Sequence, residues 1–175
     1  MTGPKALLRR IRLVIMDVDG VLTDGGIRLA DDGSELKRFD AHDGSGIVYL
    51  QRAGIQTAIL SGRRSKATHH RAQELGIEIL VEGNPDKRGG LAQILEKAGC
   101  SAREACHIGD DLTDIPVLRR VGFPVAVADA APETRRAARY VTRRPGGHGA
   151  VREVAELILK AQGKWKEVLA RYEAL

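Results

Sequence analysis

The run IRLVIMDVDGVLTD, residues 11–24, sets a mostly apolar, β-branched stretch (11–16) directly against three aspartates, Asp17, Asp19 and Asp24. A short apolar run that stops at a polar turn reads as a strand buried on both faces, the kind found in parallel sheets. Working outward, residues 55–60, 77–81, 105–108 and 124–127 repeat the pattern, with a brief edge strand at 140–142. Between them, residues 44–53, 65–75, 88–98, 112–120, 133–139 and 149–162 carry apolar side chains at three- and four-residue spacing, which predicts helices. Gly54, Gly76, Gly99 and Gly122 each follow a helical stretch, where a left-handed residue would end it. Regular alternation of this kind predicts an α/β fold, a three-layer Rossmann-like parallel sheet. One segment breaks the alternation. GIRLA and ELKRF flank the turn signal Asp31-Asp32-Gly33, which predicts a β-hairpin over residues 24–40, inserted after the first strand with no separate cap domain. Residues 164–175 carry Trp165, Val168, Leu169 and Tyr172 at helical spacing, the pattern of a tail or a short docking helix.

Composition narrows the function classes. The chain has 175 residues, 43% hydrophobic and 29% charged, which suits one globular domain over residues 1–175 and excludes a disordered chain. Its longest apolar runs, 55–60 and 124–128, fall far short of the roughly 20 residues of a membrane span. The basic start at 5–10 imitates the head of a signal peptide, but Asp17 and Asp19 interrupt the apolar run behind it, so no export is expected. A formal charge of +5 permits anionic partners. With one Trp, three Tyr and two Phe there is little to stack on bases, so nucleic acid is not an expected partner, nor is a membrane. Cys100 and Cys106 lack the spacing of a redox or zinc motif, consistent with a reducing cytoplasm.

In an open α/β sheet ligands gather beyond the carboxyl ends of the strands. The residues there are pointed: Asp17 to Asp24 after the first strand, Ser61-Gly62-Arg63 after the second, Gly109-Asp110-Asp111 with Asp114 after the fourth, and Lys87 opening the helix after the third. Singly each has a plain explanation, since Asp-Gly pairs make turns, Ser61 and Asp110 can cap helices, and a lone lysine is usually solvated. Jointly they bring together several carboxylates, a hydroxyl and an ammonium, the inventory for Mg²⁺ and a phosphate group. Without a cation such crowded carboxylates would repel one another or take up protons.

The same residues resemble the motifs of the haloacid dehalogenase superfamily of phosphotransferases, whose first motif DxDGxxxD stands here as DVDGVLTD, with Leu60-Ser61-Gly62-Arg63, Lys87 and GDDLTD (109–114) following in order. Within it, RFDAHDGSGI (38–47), AVADA (126–130), GGHGAVRE (146–153) and ILKAQGKW (158–165) are similar to the family of 3-deoxy-D-manno-octulosonate 8-phosphate phosphatases, over residues 11 to 172. The resemblance implies a Mg²⁺-dependent phosphomonoesterase. Asp17 would be the nucleophile that forms an aspartyl-phosphate, and Asp19 the acid and base. Ser61 and Lys87 would hold phosphoryl oxygens. The metal would sit on the Asp17 carboxylate, the Asp19 carbonyl and the Asp110 carboxylate, with Asp111 and Asp114 as supports.

For the substrate's sugar-acid end the resemblance implies Asp19, Asp40, Ala41, His42, Asp43, Gly44, Arg63, Arg71 and Lys87, the arginine forks suiting a carboxylate. His42 departs from relatives that have a basic residue there. Two other readings stay open on the sequence: a phosphatase for a nine-carbon ulosonate 9-phosphate, and a non-catalytic phosphatase-like regulatory domain. The resemblance also implies a homotetramer, assembled through the apolar residues of the hairpin (Ile27 and Leu29 on one strand, Leu36 and Phe39 on the other), with residues 165–172 laid near a neighbour's site.

Overall fold

The structure, a computed structural model, describes residues 4–173. In chain order the elements are α1 (Pro4–Leu8), β1 (Leu13–Met16), β2 (Arg28–Leu29), β3 (Glu35–Leu36), α2 (Ala41–Arg52), β4 (Gln56–Ser61), α3 (Lys66–Glu74), β5 (Ile79–Glu82) and α4 (Lys87–Ala98). They continue with β6 (Ala105–Gly109), α5 (Ile115–Leu118), β7 (Phe123–Ala126), α6 (Pro132–Ala137), β8 (Tyr140–Val141), α7 (Ala150–Ala161) and α8 (Trp165–Glu173). Six strands form one parallel sheet in the order β5-β4-β1-β6-β7-β8, while β2 and β3 make a separate antiparallel hairpin.

Strand alternation divides the core between the two faces of the sheet. Val14 and Met16 of β1, Ile59 of β4 and Cys106 and Ile108 of β6 pack with Ile47 and Leu50 of α2 and Val151, Val154 and Ile158 of α7. Leu13 and Ile15, Ala58 and Leu60, and Ala105 face the other way, onto Leu91 and Ile94 of α4 and Val117 of α5. Both faces are covered, which is why these strands read as continuous apolar runs.

From β1 the chain steps to β4 and β5 on one side, then returns to the other side of β1 for β6, β7 and β8. Loops leaving β1 and β6 therefore diverge, and a crevice opens at their carboxyl ends. Only the hairpin lies between β1 and α2, and residues 83–86 alone join β5 to α4, so neither connection carries a further folded unit.

Several sequence expectations are corrected. The helix expected from residue 44 begins at Ala41, because the Asp40 side chain accepts from the N–H groups of His42 (2.7 Å) and Asp43 (3.2 Å) and caps it. The single helix expected over 112–120 is a 3₁₀ turn, Leu112–Asp114, followed by α5, since Pro116 has no N–H to continue a helix begun at 112 and is tolerated only in a first turn. Gly54, Gly76 and Gly99 have positive φ as expected, whereas Gly122 does not. Gly122 is needed for close approach: a Cβ there would lie 2.1 Å from the Arg103 carbonyl oxygen. Residues 164–173 resolve into the docking alternative. In α8, Trp165 and Tyr172 meet the Tyr49 ring of α2 edge-on at 6.2 and 6.0 Å, and the Arg152 guanidinium lies over both Tyr49 and Trp165. The segment packs on α2 and α7 of its own chain.

Helices α2 and α7 pack closely. A Cβ on Gly46 would come within 2.9 Å of the Arg152 Cα. Beside it the buried Asp43 carboxylate accepts from the N–H groups of Gly149 (3.1 Å) and Arg152 (2.8 Å), capping α7 from the neighbouring helix. Removing that carboxylate strands two N–H groups at a buried helix start. Asp43→Ala is therefore expected to lose about 1–3 kcal/mol of unfolding free energy in urea titration, and an unchanged midpoint would show that α7 does not depend on this cap.

Candidate active site

Strand register builds the crevice. Met16 of β1 pairs with Ile59 of β4 and Ile108 of β6, so Asp17, Ser61 and Asp110 all emerge within two residues of one level at the carboxyl edge. The Asp17 N–H continues the ladder to the Ile108 carbonyl (3.1 Å), which fixes where its side chain starts. The loop after β1 is held by the glycine run of residues 146–149: Gly147 N–H donates to the Val21 carbonyl at 2.8 Å, and a Cβ on Gly146 would lie 1.7 Å from the Gly20 oxygen.

Lys87 is buried at the start of α4 and donates to Asp17 Oδ2 (2.6 Å) and to Asp114 Oδ1 (2.8 Å). Burial opposes its charge, but the two carboxylates more than offset this and raise its pKa above the usual lysine value. Asp114 is fully buried and fully subscribed. Its Oδ1 also meets His107 Nε2 at 2.7 Å, and its Oδ2 accepts from the N–H groups of Asp110 (3.1 Å) and Asp111 (3.4 Å). Although burial works the other way, His107 and Lys87 hold the Asp114 carboxyl well below the ordinary carboxylate range.

Asp17 is less constrained, with Oδ1 accepting only the Val18 N–H at 2.7 Å. Burial and then the Asp114 charge push its pKa up to about 6 despite Lys87. Asp110 lies further out and is pushed up to about 8, by burial and then by the charges of Asp17 and Asp114. Its buried Oδ1 has no hydrogen-bond partner.

Oxygens of Asp17, Asp110 and Asp114 lie within 4.8 Å of one another. That spacing, all-oxygen chemistry and the orphaned Asp110 oxygen suit a hard divalent cation. Asp114 already has four donors, so Asp17 and Asp110 are the carboxylates with capacity left, and Asp114 serves as a support. Asp111 donates its backbone N–H to Asp114 Oδ2 at 3.4 Å.

The other expected residues fall into two groups. Asp19 and Arg63 lie together, Arg63 Nε being 3.8 Å from Asp19 Oδ2. Ser61 is buried at the end of β4, and its Oγ accepts from the Arg63 N–H at 3.2 Å, leaving its own proton to donate. Arg71 belongs to the second group: it donates to the Asp40 carbonyl (3.4 Å), pairs with Glu74 (2.8 Å), and lies so close over Gly44 that a Cβ there would be 2.4 Å from Nη2. Ala41, Gly44, Arg71 and Tyr172 line one shallow groove beside α2, and the His42 side chain is exposed. Asp43 is buried, and each of its oxygens accepts from an N–H group at the start of α7.

Sequence reasoning missed Lys37, Glu35 and His107. Lys37 Nζ reaches Asp19 Oδ1 from the hairpin, and Glu35 sits between Lys37 (3.3 Å) and Arg63 (2.8 Å). Alternation was the available signal: 35, 37 and 39 are half-buried while 36 and 38 are exposed. By the same parity Leu36 and Phe39 cannot share a face, and Phe39 packs on its own core beneath Arg71.

A carboxylate at the end of the first strand, a buried lysine bonded to it and a second carboxylate open to a cation define a hydrolase of the haloacid dehalogenase type, and residues 77–154 match the family of haloacid dehalogenase-like hydrolases. The chain belongs, more narrowly, to the 3-deoxy-D-manno-octulosonate 8-phosphate phosphatase family. It is 46% identical over 162 residues to that phosphatase of Escherichia coli K12, covering 93% of this chain and 86% of the relative, and 49% identical over 154 residues to that of Yersinia pestis, covering 88% and 82%. Among solved structures, the Moraxella catarrhalis phosphatase in complex with magnesium, phosphate and KDO superimposes with a TM-score of 0.93 at 40% identity, covering 96% of this chain and 97% of that one.

Raised carboxylate pKa values have a consequence for stability. With Asp17 near 6 and Asp110 near 8, against about 4 in the unfolded chain, the metal-free folded protein holds the extra protons between those limits. Its stability therefore falls as pH rises through that window. A bound cation replaces those protons. The rise in Tm on adding MgCl₂ to EDTA-treated protein is expected to be larger at about pH 8.5 than at about pH 5.5; a shift independent of pH in thermal scans would mean that these carboxylates do not share the cation.

Proposed function

We propose that this chain hydrolyses 3-deoxy-D-manno-octulosonate 8-phosphate to the free sugar acid and phosphate, through an aspartyl-phosphate on Asp17. The observation that carries the reading is the asymmetry at Lys87: one partner, Asp114, is locked by four donors, while the other, Asp17, has two and a raised pKa. An oxygen of Asp17 attacks phosphorus and the phosphorus–alkoxide bond breaks. As the Asp17 charge passes to the departing alkoxide, the Lys87 ammonium stays on Asp114 and turns to the phosphoryl oxygens, joined by the Ser61 hydroxyl. Asp19 gives a proton to the departing sugar oxygen, then takes one from the water that hydrolyses the acyl phosphate, which regenerates Asp17. Mg²⁺, for which Asp17, the Asp19 carbonyl and Asp110 are the donors, supplies charge neutralisation at the phosphoryl group.

At the sugar end, Arg63, Arg71 and the start of α2 from Asp40 to Gly44 receive the substrate, with Asp43 acting indirectly by fixing α2 to α7. The whole chain works as one phosphatase domain. Two buried free thiols, Cys100 and Cys106, suit the cytoplasm. A phosphate-release assay across sugar phosphates tests activity and substrate together. The eight-carbon ulosonate 8-phosphate is expected to have the highest kcat/KM, and a nine-carbon 9-phosphate in first place would reassign the substrate. Asp17→Asn is expected to remove turnover with the fold intact, and rapid-quench labelling of the wild type should place phosphate on Asp17; label on another residue sinks the mechanism.

The working unit is a homotetramer. Ile27, Leu29 and Leu36 are exposed on the hairpin, and because Arg28 pairs with Leu36 and Leu29 with Glu35, they occupy both of its faces. A lone two-stranded ribbon does not stably expose apolar side chains on both sides. Light scattering is expected to give four chains per particle, and a fully active monomer would refute shared assembly.

A further inference from the structure

The hairpin brings four charged side chains into a closed ring outside the Lys87 cluster. Lys37 contacts Asp19 Oδ1 and Glu35, Glu35 contacts Arg63, and Arg63 returns to Asp19 Oδ2. Signs alternate around it. Lys37 is half-buried as a residue, but its side chain is the least exposed of the four at 2%, and an ammonium removed from water is held only where partners are in place. Two of them are Asp19 and Glu35, on opposite sides of the ring. The arrangement is oriented: Lys37 occupies one oxygen of Asp19, and the other, Oδ2, is left with the longer 3.8 Å approach of an Arg63 that is half exposed. Glu35 balances the ammonium, so the contact orients Asp19 without adding a net cation beside it.

We infer that Lys37 is a positioning residue for Asp19, fixing which carboxylate oxygen faces the departing sugar oxygen. The inference rests on the reading of Asp19 as the acid. A free carboxylate rotates about two side-chain bonds, and a proton is transferred only over hydrogen-bond distance, so an oxygen held in place shortens the search for the reactive geometry. Lys37 itself touches neither phosphorus nor the leaving oxygen. Loss of Lys37 should therefore matter in proportion to how much the leaving group needs a proton. A sugar alkoxide needs one; p-nitrophenolate does not.

Rapid-quench measurement of aspartyl-phosphate formation at saturating substrate isolates this step from binding and from hydrolysis of the intermediate. For Lys37→Met the rate with the ulosonate 8-phosphate is expected to fall tenfold or more, within the range of about 10²–10⁴ for a whole general acid, and the rate with p-nitrophenyl phosphate less than about threefold. Lys37→Arg, which keeps a donor on Asp19, should recover most of the loss. Lys37→Gln replaces the Met variant if circular dichroism shows that the latter is not folded. Equal loss on both substrates, or no loss on the sugar phosphate, overturns the inference. Asp19→Asn separates the two readings. If it discriminates between leaving groups and the Lys37 variants do not, the Lys37 inference fails alone; if it does not discriminate, Asp19 is not the acid and both fall.

Discussion

One buried ammonium organises the site. Lys87 opens α4, where the helix dipole disfavours a cation, and it is shut away from water, where an unpaired charge is not tolerated. Asp17 and Asp114 make that placement possible, and each is brought there by a different strand end. The balance is unequal: Asp17, Asp110 and Asp114 crowd around a single lysine, and the surplus negative charge appears as raised pKa values on the two carboxylates that Lys87 does not fully satisfy. A bound divalent cation would remove the surplus. Resting and reacting states therefore differ mainly in what neutralises Asp17 and Asp110, with Asp114 as the fixed pole.

His107 extends this network inward. Its Nε2 meets Asp114, while its Nδ1 is buried without a partner, so only one side of the ring is anchored by hydrogen bonding. It points to the face opposite Cys106 and Ile108, which places it under the crevice and not in it.

The placement of the strand-end residues was legible because topology and motif agree. Asp17, Ser61 and Asp110 follow apolar runs directly, and a doubly covered parallel sheet has one place for such residues. Lys87 is the first residue of its helix, one position earlier than the periodicity from 88 suggested. What the sequence did not disclose lies where a side chain's partner is far away in the chain. Asp43 reads as part of a polar segment but caps α7, 106 positions on. The α2 boundary depended on Asp40 accepting two N–H groups, which an apolar-periodicity reading from Gly44 passes over. Trp165 and Tyr172 read equally well as a loose tail and as a docked helix, and the choice was made by Tyr49 and Arg152 on elements that periodicity alone does not bring together.

The hairpin shows why parity matters more than composition in a short ribbon. Its own ladder consists of two residue pairs, too few to hold it, and its placement comes from contacts with the rest of the chain: Lys37 and Glu35 at Asp19 and Arg63, Arg38 at the Gly147 carbonyl (3.3 Å), and Phe39 on the core. Partly exposed ion pairs such as Glu35 with Arg63 contribute little individually. The ribbon is thus held by several weak contacts, some of which end on Asp19 and Arg63, and it carries exposed Ile27, Leu29 and Leu36 on both faces. Any surface that covers those residues stabilises the ribbon in the position from which Lys37 reaches Asp19, and by the same linkage a well-placed Asp19 favours the covered state. If the chains assemble through these residues and Asp19 is the acid, as proposed above, assembly and acid placement are coupled through a segment that contributes no group to the Asp17, Asp110 and Asp114 cluster.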